Sequence, residues 1–260
     1  MSAAGRSSDK AGYPLKRVID VLCAAVAFVL TLPALLLCLG AVWLCDRANP
    51  FYVSERIGWR GQSFRFLKIR TMVPGASGSG IDTTVAGDAR ITPAGRWIRA
   101  LKFDELPQFL HVLRGDMSLV GPRPNVPREV GIYTLAEREL LTLRPGVTDI
   151  ASIAFADLSR TLSNSTDPNI DYNQLVRPWK SRLGLHYIRC SSIRNDLCIM
   201  FYTASGFVAR QWTLGQLAGL LRRTGAPEDL CRFVLRDQPL RPLPPPGADS
   251  IVTSRSPGMS

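Results

Sequence analysis

Between Val21 and Cys45 the chain carries twenty-five consecutive residues without a formal charge, and beyond Asp46 the pattern changes to short alternations of apolar and polar positions. About twenty apolar residues suffice to cross a bilayer core as a helix, so the run predicts a membrane helix. Pro33 lies near its middle, where a proline removes one helical hydrogen bond and crowds the preceding turn, which favours a kink. Lys10, Lys16 and Arg17 precede the run, and Arg47, Arg56, Arg60 and Arg65 follow it. Positive flanks stay on the cytoplasmic side. Charge at both ends therefore predicts a re-entrant helix over residues 16–46, broken near Pro33, behind a short tail over 1–15; a kinked spanning helix is the alternative. The run is too long for a cleaved signal peptide, and no small-residue cleavage site precedes Asp46.

From Phe51 to Met72 the alternation around Arg56-Ile57-Gly58 and Phe64-Arg65-Phe66 predicts short strands. Gly75, Gly78 and Gly80, with Ser77 and Ser79, read as a flexible connector, because neither a phosphate-binding Gly-Lys-Ser/Thr nor a dinucleotide fingerprint accompanies them. Thr92-Pro93 supplies an N-cap and a first-position proline for a helix to about Lys102. A second helix is expected from Asp104 to Gly115, with Pro107 tolerated in its first turn. The apolar stretch from Leu197 to Ala209 is too short to span and predicts a helix lying at a membrane interface.

Composition sharpens this picture. The chain has 260 residues and a formal charge of +11, with a sequence pI near 9.8, which points to anionic partners such as lipid headgroups or phosphorylated substrates. Aromatic residues interleaved with Lys and Arg are sparse and no nucleic-acid motif is present, so nucleic acid is not expected as a partner. Residues 47–221 suffice for one domain with a real core. The six cysteines lack metal-ligand spacing and read as reduced and structural. From Arg222 the chain turns proline-rich, which predicts a disordered tail over 222–260.

The candidate chemistry lies in the middle of the chain. Asp104 and Glu105 stand at the start of the second expected helix, where backbone N–H groups and the helix dipole favour negative charge and phosphate. Adjacent helical residues point about 100° apart, so these acids suit a division of labour, one attacking and one holding a metal. Taken alone, the dipeptide reads as an ordinary N-cap, Asp104, followed by an ordinary first-turn acid, Glu105; the surrounding cations change that reading. Prolines 122 and 124 stiffen the backbone around Arg123 and present one guanidinium, a planar fork matched to phosphate oxygens. With Lys68, Arg70, Arg99 and Arg144, Arg123 completes five cations around two acids, a composition suited to a diphosphate. His111, a lone histidine, reads as a packed helix residue.

At these residues the chain resembles the bacterial sugar transferases, the monotopic polyprenyl-phosphate phosphoglycosyl transferases that initiate exopolysaccharide, capsule and glycoconjugate assembly. The resemblance runs from about Lys16 to Thr203. Its motifs are Lys16-Arg17-Val18-Ile19-Asp20, Glu55-Arg56-Ile57-Gly58, Lys68-Ile69-Arg70-Thr71-Met72, Asp104-Glu105-Leu106-Pro107-Gln108, the segment from Gly115 to Pro124, and Arg144-Pro145-Gly146-Val147-Thr148. It implies an α+β, mainly helical fold: a re-entrant membrane helix, then a compact catalytic domain with short strands and interfacial amphipathic helices. It also implies residence at the cytoplasmic face of the bacterial inner membrane. Asp104 would attack the β-phosphate of a UDP-sugar, releasing UMP, and undecaprenyl phosphate would then accept the phosphosugar.

By the same resemblance Glu105 would bind Mg²⁺, Arg99 and Arg144 would contact phosphate, and Pro122, Arg123 and Pro124 would hold the uridine end. Lys68 and Arg70 are weaker assignments, since a basic strand facing lipid headgroups reads alike. The sugar, the polymer and the oligomeric state, a homo-oligomer included, stay open. A non-enzymatic, lipid-anchored scaffold for polysaccharide assembly is the competing class; it would tolerate Asp104→Asn, and the transferase would not.

Overall fold

The apolar run folds as one helix, α1 (Pro14–Asp46), in a computed structural model that describes residues 14–76, 87–163 and 165–253. The expected break at Pro33 does not divide it: a proline removes only its own amide's hydrogen bond, and both halves are packed on the domain. One face is buried at Asp20, Ala24, Leu35 and Val42, while Val18, Leu22, Val26, Val29 and Leu37 stay exposed. The length and composition of α1 suffice to cross a membrane.

Two strands follow, β1 (Phe51–Ile57) and β2 (Ser63–Ile69), paired antiparallel with Ser54 opposite Phe66. The glycine-rich connector falls largely on residues 77–86, outside the described ones. α2 (Pro93–Ala100) starts as its sequence predicts, with the Thr92 hydroxyl accepting from the Gly95 amide at 3.0 Å. The second expected helix divides. A 3-10 turn at Phe103–Glu105 carries the two acids, and α3 (Gln108–Arg114) begins only after Pro107. Gly115 closes α3 at φ 101°, a left-handed conformation that glycine adopts without steric cost.

β3 (Ser118–Val120) pairs parallel to β4 (Gly146–Thr148), with α4 (Pro127–Gly131) and a 3-10 segment at Glu137–Thr142 between them. Two of the sequence motifs meet here. A side chain on Gly146 would lie 2.1 Å from the Gly121 amide nitrogen, and one on Gly121 would lie 2.4 Å from the Arg144 carbonyl. Only glycine at both positions allows the chains to approach so closely.

The rest is helical. α5 (Ile150–Ala154), α6 (Leu158–Thr161) and α7 (Pro168–Asp171) are short. A π-turn at Tyr172–Val176 leads into α8 (Arg177–Cys190), followed by α9 (Ile193–Ser205), α10 (Arg210–Arg223) and α11 (Glu228–Phe233). The main core gathers Met117, Ile150, Leu183, Tyr187, Ile199 and Leu217, with Ala24 contributed by α1. A smaller cluster joins Leu35 and Val42 of α1 to Ile69, Ile98 and Leu106. Leu197, Phe201, Phe207, Val208 and Trp212 form an exposed apolar margin on α9, α10 and their connection.

The expectation of a disordered tail from Arg222 is corrected. α11 buries Leu230 and Cys231, with Val234 behind them. Farther on, the Leu243 amide donates to the Gln174 carbonyl at 3.1 Å, and Gln174 donates to the Val252 carbonyl at 2.7 Å. Apolar residues placed among the prolines give this segment enough burial to stay on the surface of α8 and the π-turn. Residues 254–260 lie outside the described ones.

Candidate active site

Asp104 and Glu105 project from the 3-10 turn against the end of β2. Lys68 on β2 lies 3.0 Å from Glu105 Oε1 and 3.6 Å from Asp104 Oδ2, so one ammonium serves both acids. Arg123 Nη2 donates to the same Glu105 oxygen, while its Nη1 donates to the Val147 carbonyl at 2.7 Å and its amide to Asp149 at 3.3 Å. The loop after β3 is thereby fixed to β4. Burial alone would raise the Glu105 pKa, but Arg123 and Lys68 overcome it and hold this carboxyl well below the usual carboxylate range.

Beside this cluster lies a cavity of about 780 Å³, walled by Glu105, Lys68 and Arg123 and extending towards α8, α9 and α10. Eight Lys or Arg residues border it, against two acids, Glu105 and Glu129. Such a wall suits a ligand carrying several negative charges. Asp104 itself is buried and does not border the cavity; Lys68, which touches it, does.

Arg99 on α2 borders the cavity, its guanidinium 3.4 Å from the Thr71 hydroxyl. Pro124 borders it too, and Pro122 is buried behind. Two cations are not brought to the acids. Arg70 grips Asp46 through both terminal nitrogens, at 2.6 and 2.7 Å, and the Asn49 carbonyl through Nε, tying the end of α1 to the end of β2. Arg144 lies over the Trp59 ring at 4.5 Å and donates to the Gly115 carbonyl. Both groups are committed to holding backbone.

His111 is a packed residue, as its isolation suggests. Its Nε2 accepts the Leu67 amide at 3.0 Å, its Nδ1 meets Asp116 at 3.1 Å, and its ring stacks on Phe66. Lys102, Arg56, Lys180 and Arg210 border the cavity without having been singled out for the site from sequence. Lys102 had one available signal, its place two residues before the acids, and Arg56 another, its place in the Glu55-Arg56-Ile57-Gly58 motif; Lys180 and Arg210 come from distant elements. The six cysteines are free.

Among the described residues no group of three or more His, Cys, Asp or Glu could hold a metal. The two neighbouring carboxylates nevertheless fit Mg²⁺, which is commonly held by one or two carboxylates and completed by substrate phosphates. Glu105 Oε1 takes both cations, and Oε2 is outside those pairs.

The sequence model described as bacterial sugar transferase matches residues 11–210. The exopolysaccharide production protein ExoY of Sinorhizobium fredii is 34% identical over 203 residues, covering 72% of this chain and 83% of that protein. ExoY of Rhizobium meliloti is 40% identical over 158 residues, 55% of this chain and 70% of its own. A UDP-glucose:undecaprenyl-phosphate glucose-1-phosphate transferase of Caulobacter vibrioides is 37% identical over 193 residues, 72% and 67% respectively.

Proposed function

The chain belongs to the bacterial sugar transferase family, and from that membership we propose that it transfers a sugar 1-phosphate from a UDP-sugar to polyprenyl phosphate at the cytoplasmic face of a membrane. The observation that carries this reading is the Lys68–Glu105–Arg123 cluster, set beside Asp104 on the wall of a cation-rich cavity. Relatives named as undecaprenyl-phosphate sugar transferases support the same acceptor.

In the proposed reaction a carboxylate oxygen of Asp104 attacks the β-phosphorus of the donor. The bond from that phosphorus to the bridging oxygen breaks, and its electron pair leaves with UMP. Asp104 then carries the phosphosugar until an oxygen of polyprenyl phosphate displaces it, regenerating the carboxylate. Diphosphate oxygens repel an anionic nucleophile, and Lys68 and Arg123 reduce that repulsion by their charge. Arg99 adds a third cation at the wall. Mg²⁺, bound through Glu105, would supply further neutralisation of the phosphate oxygens.

The re-entrant arrangement is part of the proposal. A straight helix of this length is about 50 Å long, yet both ends of α1 are held by the same domain. Lys16 meets Asp196 at 2.5 Å, Asp20 accepts from the Ser118 hydroxyl at 2.7 Å, and Asp46 is paired with Arg70. A helix crossing alone to the far side would lose one set of these contacts. Together with its exposed apolar stripe, this supports a helix dipping into one leaflet beside the apolar margin of α9 and α10.

The test is UMP release from UDP-glucose, UDP-galactose and N-acetylated UDP-sugars by nanodisc-held protein with Mg²⁺ and polyprenyl phosphate. One donor should yield UMP, and Asp104→Asn should abolish it. A folded, membrane-bound chain that releases no UMP from any donor would reject the proposal.

A further inference from the structure

We propose that Lys180 is a catalytic residue of the first half-reaction, its ammonium group holding the phosphate of the departing nucleoside monophosphate. The inference rests on the transferase reading and adds a residue outside the motifs of the resemblance. Lys180 lies on α8 and borders the same cavity as Glu105 and Arg123. Among the described residues no carboxylate stands within ion-pair distance of it. It is supported instead by two ring faces, Tyr172 at 5.2 Å and Phe155 at 5.9 Å. Such rings steady a cation without neutralising it, which leaves its charge for an incoming anion.

Its position follows from local structure. Tyr172 opens the π-turn that feeds α8, and π-turns recur where a helix is adjusted for function. Residues 172 and 180 lie about two turns apart and meet on one side, facing the cavity. The charges acting most on Lys180 are Asp149 at the start of α5, Arg123 after β3, Arg56 on β1 and Glu129 on α4. Arg123 is also the cation bound to Glu105. Lys180 and Arg123 therefore border one cavity and act on each other electrostatically.

In the proposed reaction a diphosphate that enters this cavity and reaches Asp104 beside Lys68 keeps its α-phosphate in the cavity, where Lys180 is one of the bordering cations. When the bond from the β-phosphorus to the bridging oxygen breaks, the oxygen keeps the electron pair and the leaving phosphate passes from one negative charge to two. A phosphate monoester is largely doubly charged at neutral pH, so no proton has to be supplied. A cation at this point interacts more strongly with the transition state than with the bound donor, which is the condition for raising the rate.

The state of Lys180 gives the test its signature. Burial lowers its pKa to about 8, with Asp149 and Glu129 opposing and Arg123 and Arg56 assisting. It is charged below that pH and neutral above it, so the second-order rate constant for the single-turnover release of UMP should fall as pH rises through about 8. Burial raises the Tyr172 hydroxyl far above this window, so Tyr172 does not contribute to the change.

The experiment measures UMP release without acceptor by the full chain in nanodiscs, between about pH 6 and 9.5, for wild type, Lys180→Arg and Lys180→Met, with added UMP as competitor. At pH 7, Lys180→Met should be slower by about tenfold or more and inhibited less by UMP, with no decline towards high pH. Lys180→Arg should recover much of the rate and also lose that decline, because its guanidinium keeps its proton. Lys180→Met matching an active wild type, or a decline near pH 8 retained in Lys180→Arg, would overturn the inference alone. A wild type that releases no UMP overturns the transferase reading, and this one with it.

Discussion

Two glutamate–arginine pairs in this molecule differ in how completely they are closed. Glu137 and Arg177 are fully inside the domain, where Glu137 Oε1 accepts from Arg177 Nε and Ser181, and Oε2 accepts from Arg177 Nη2 and the Thr134 amide. Arg177 also donates to Asn173 and to the Ile132 carbonyl. Glu105 concentrates two cations on one oxygen and stands at a cavity wall. Similar residue pairs therefore do different work: one is bound on every side by the fold, and the other holds charge next to a space large enough for a substrate.

Removing one member from each pair should separate these roles. Glu105→Gln is expected to lower UMP release by about 10³-fold, the scale of losing a principal electrostatic element of a site. The same variant should shift the melting midpoint little, because the glutamine stays beside the cavity with Lys68 and Arg123 able to reach water. Glu137→Ala should do the reverse. It leaves the buried Arg177 guanidinium uncompensated, for a loss of about 3–5 kcal/mol in denaturant titrations. Loss of stability without loss of specific activity in the folded fraction is the expected result for Glu137; equal effects of the two variants on UMP release would erase the distinction.

A smaller effect is expected at Arg144. The sequence motif directs this arginine to phosphate, whereas the structure commits it to Trp59 and the Gly115 carbonyl. Arg144→Gln should change the donor KM by less than about threefold and act mainly on the melting midpoint. A tenfold rise in KM with unchanged stability would show that the arginine leaves its stack when the donor binds.

This contrast marks what was legible in the chain. Asp104, Glu105 and Arg123 drew attention because special backbone neighbours accompany them, an expected helix start for the acids, which folds instead as a 3-10 turn ahead of α3, and two prolines for the arginine; the structure brings Glu105 and Arg123 together. Thr92 was readable as a cap for the same reason. Arg70 and Arg144 were not, because a cation in a motif does not disclose which way its side chain turns. Lys180 offered no local signal, as its place depends on a π-turn and two aromatic rings. The C-terminal segment was concealed by its prolines. The few apolar residues that hold it, Leu230, Cys231 and Val234, find their partners only on the assembled surface.

The double fastening of α1 has a consequence for how the protein is built. Asp20 caps polar atoms at Ser118 and Leu119, and Ala24 is wholly enclosed in the main core. The helix is thus part of the interior as well as an attachment to lipid, and cutting before β1 would not release a finished soluble enzyme. It would expose a furrow where α1 had lain and leave Ser118 without its acceptor at Asp20. The domain is complete only once α1 has docked, so the apolar helix and the body of the protein have to assemble together.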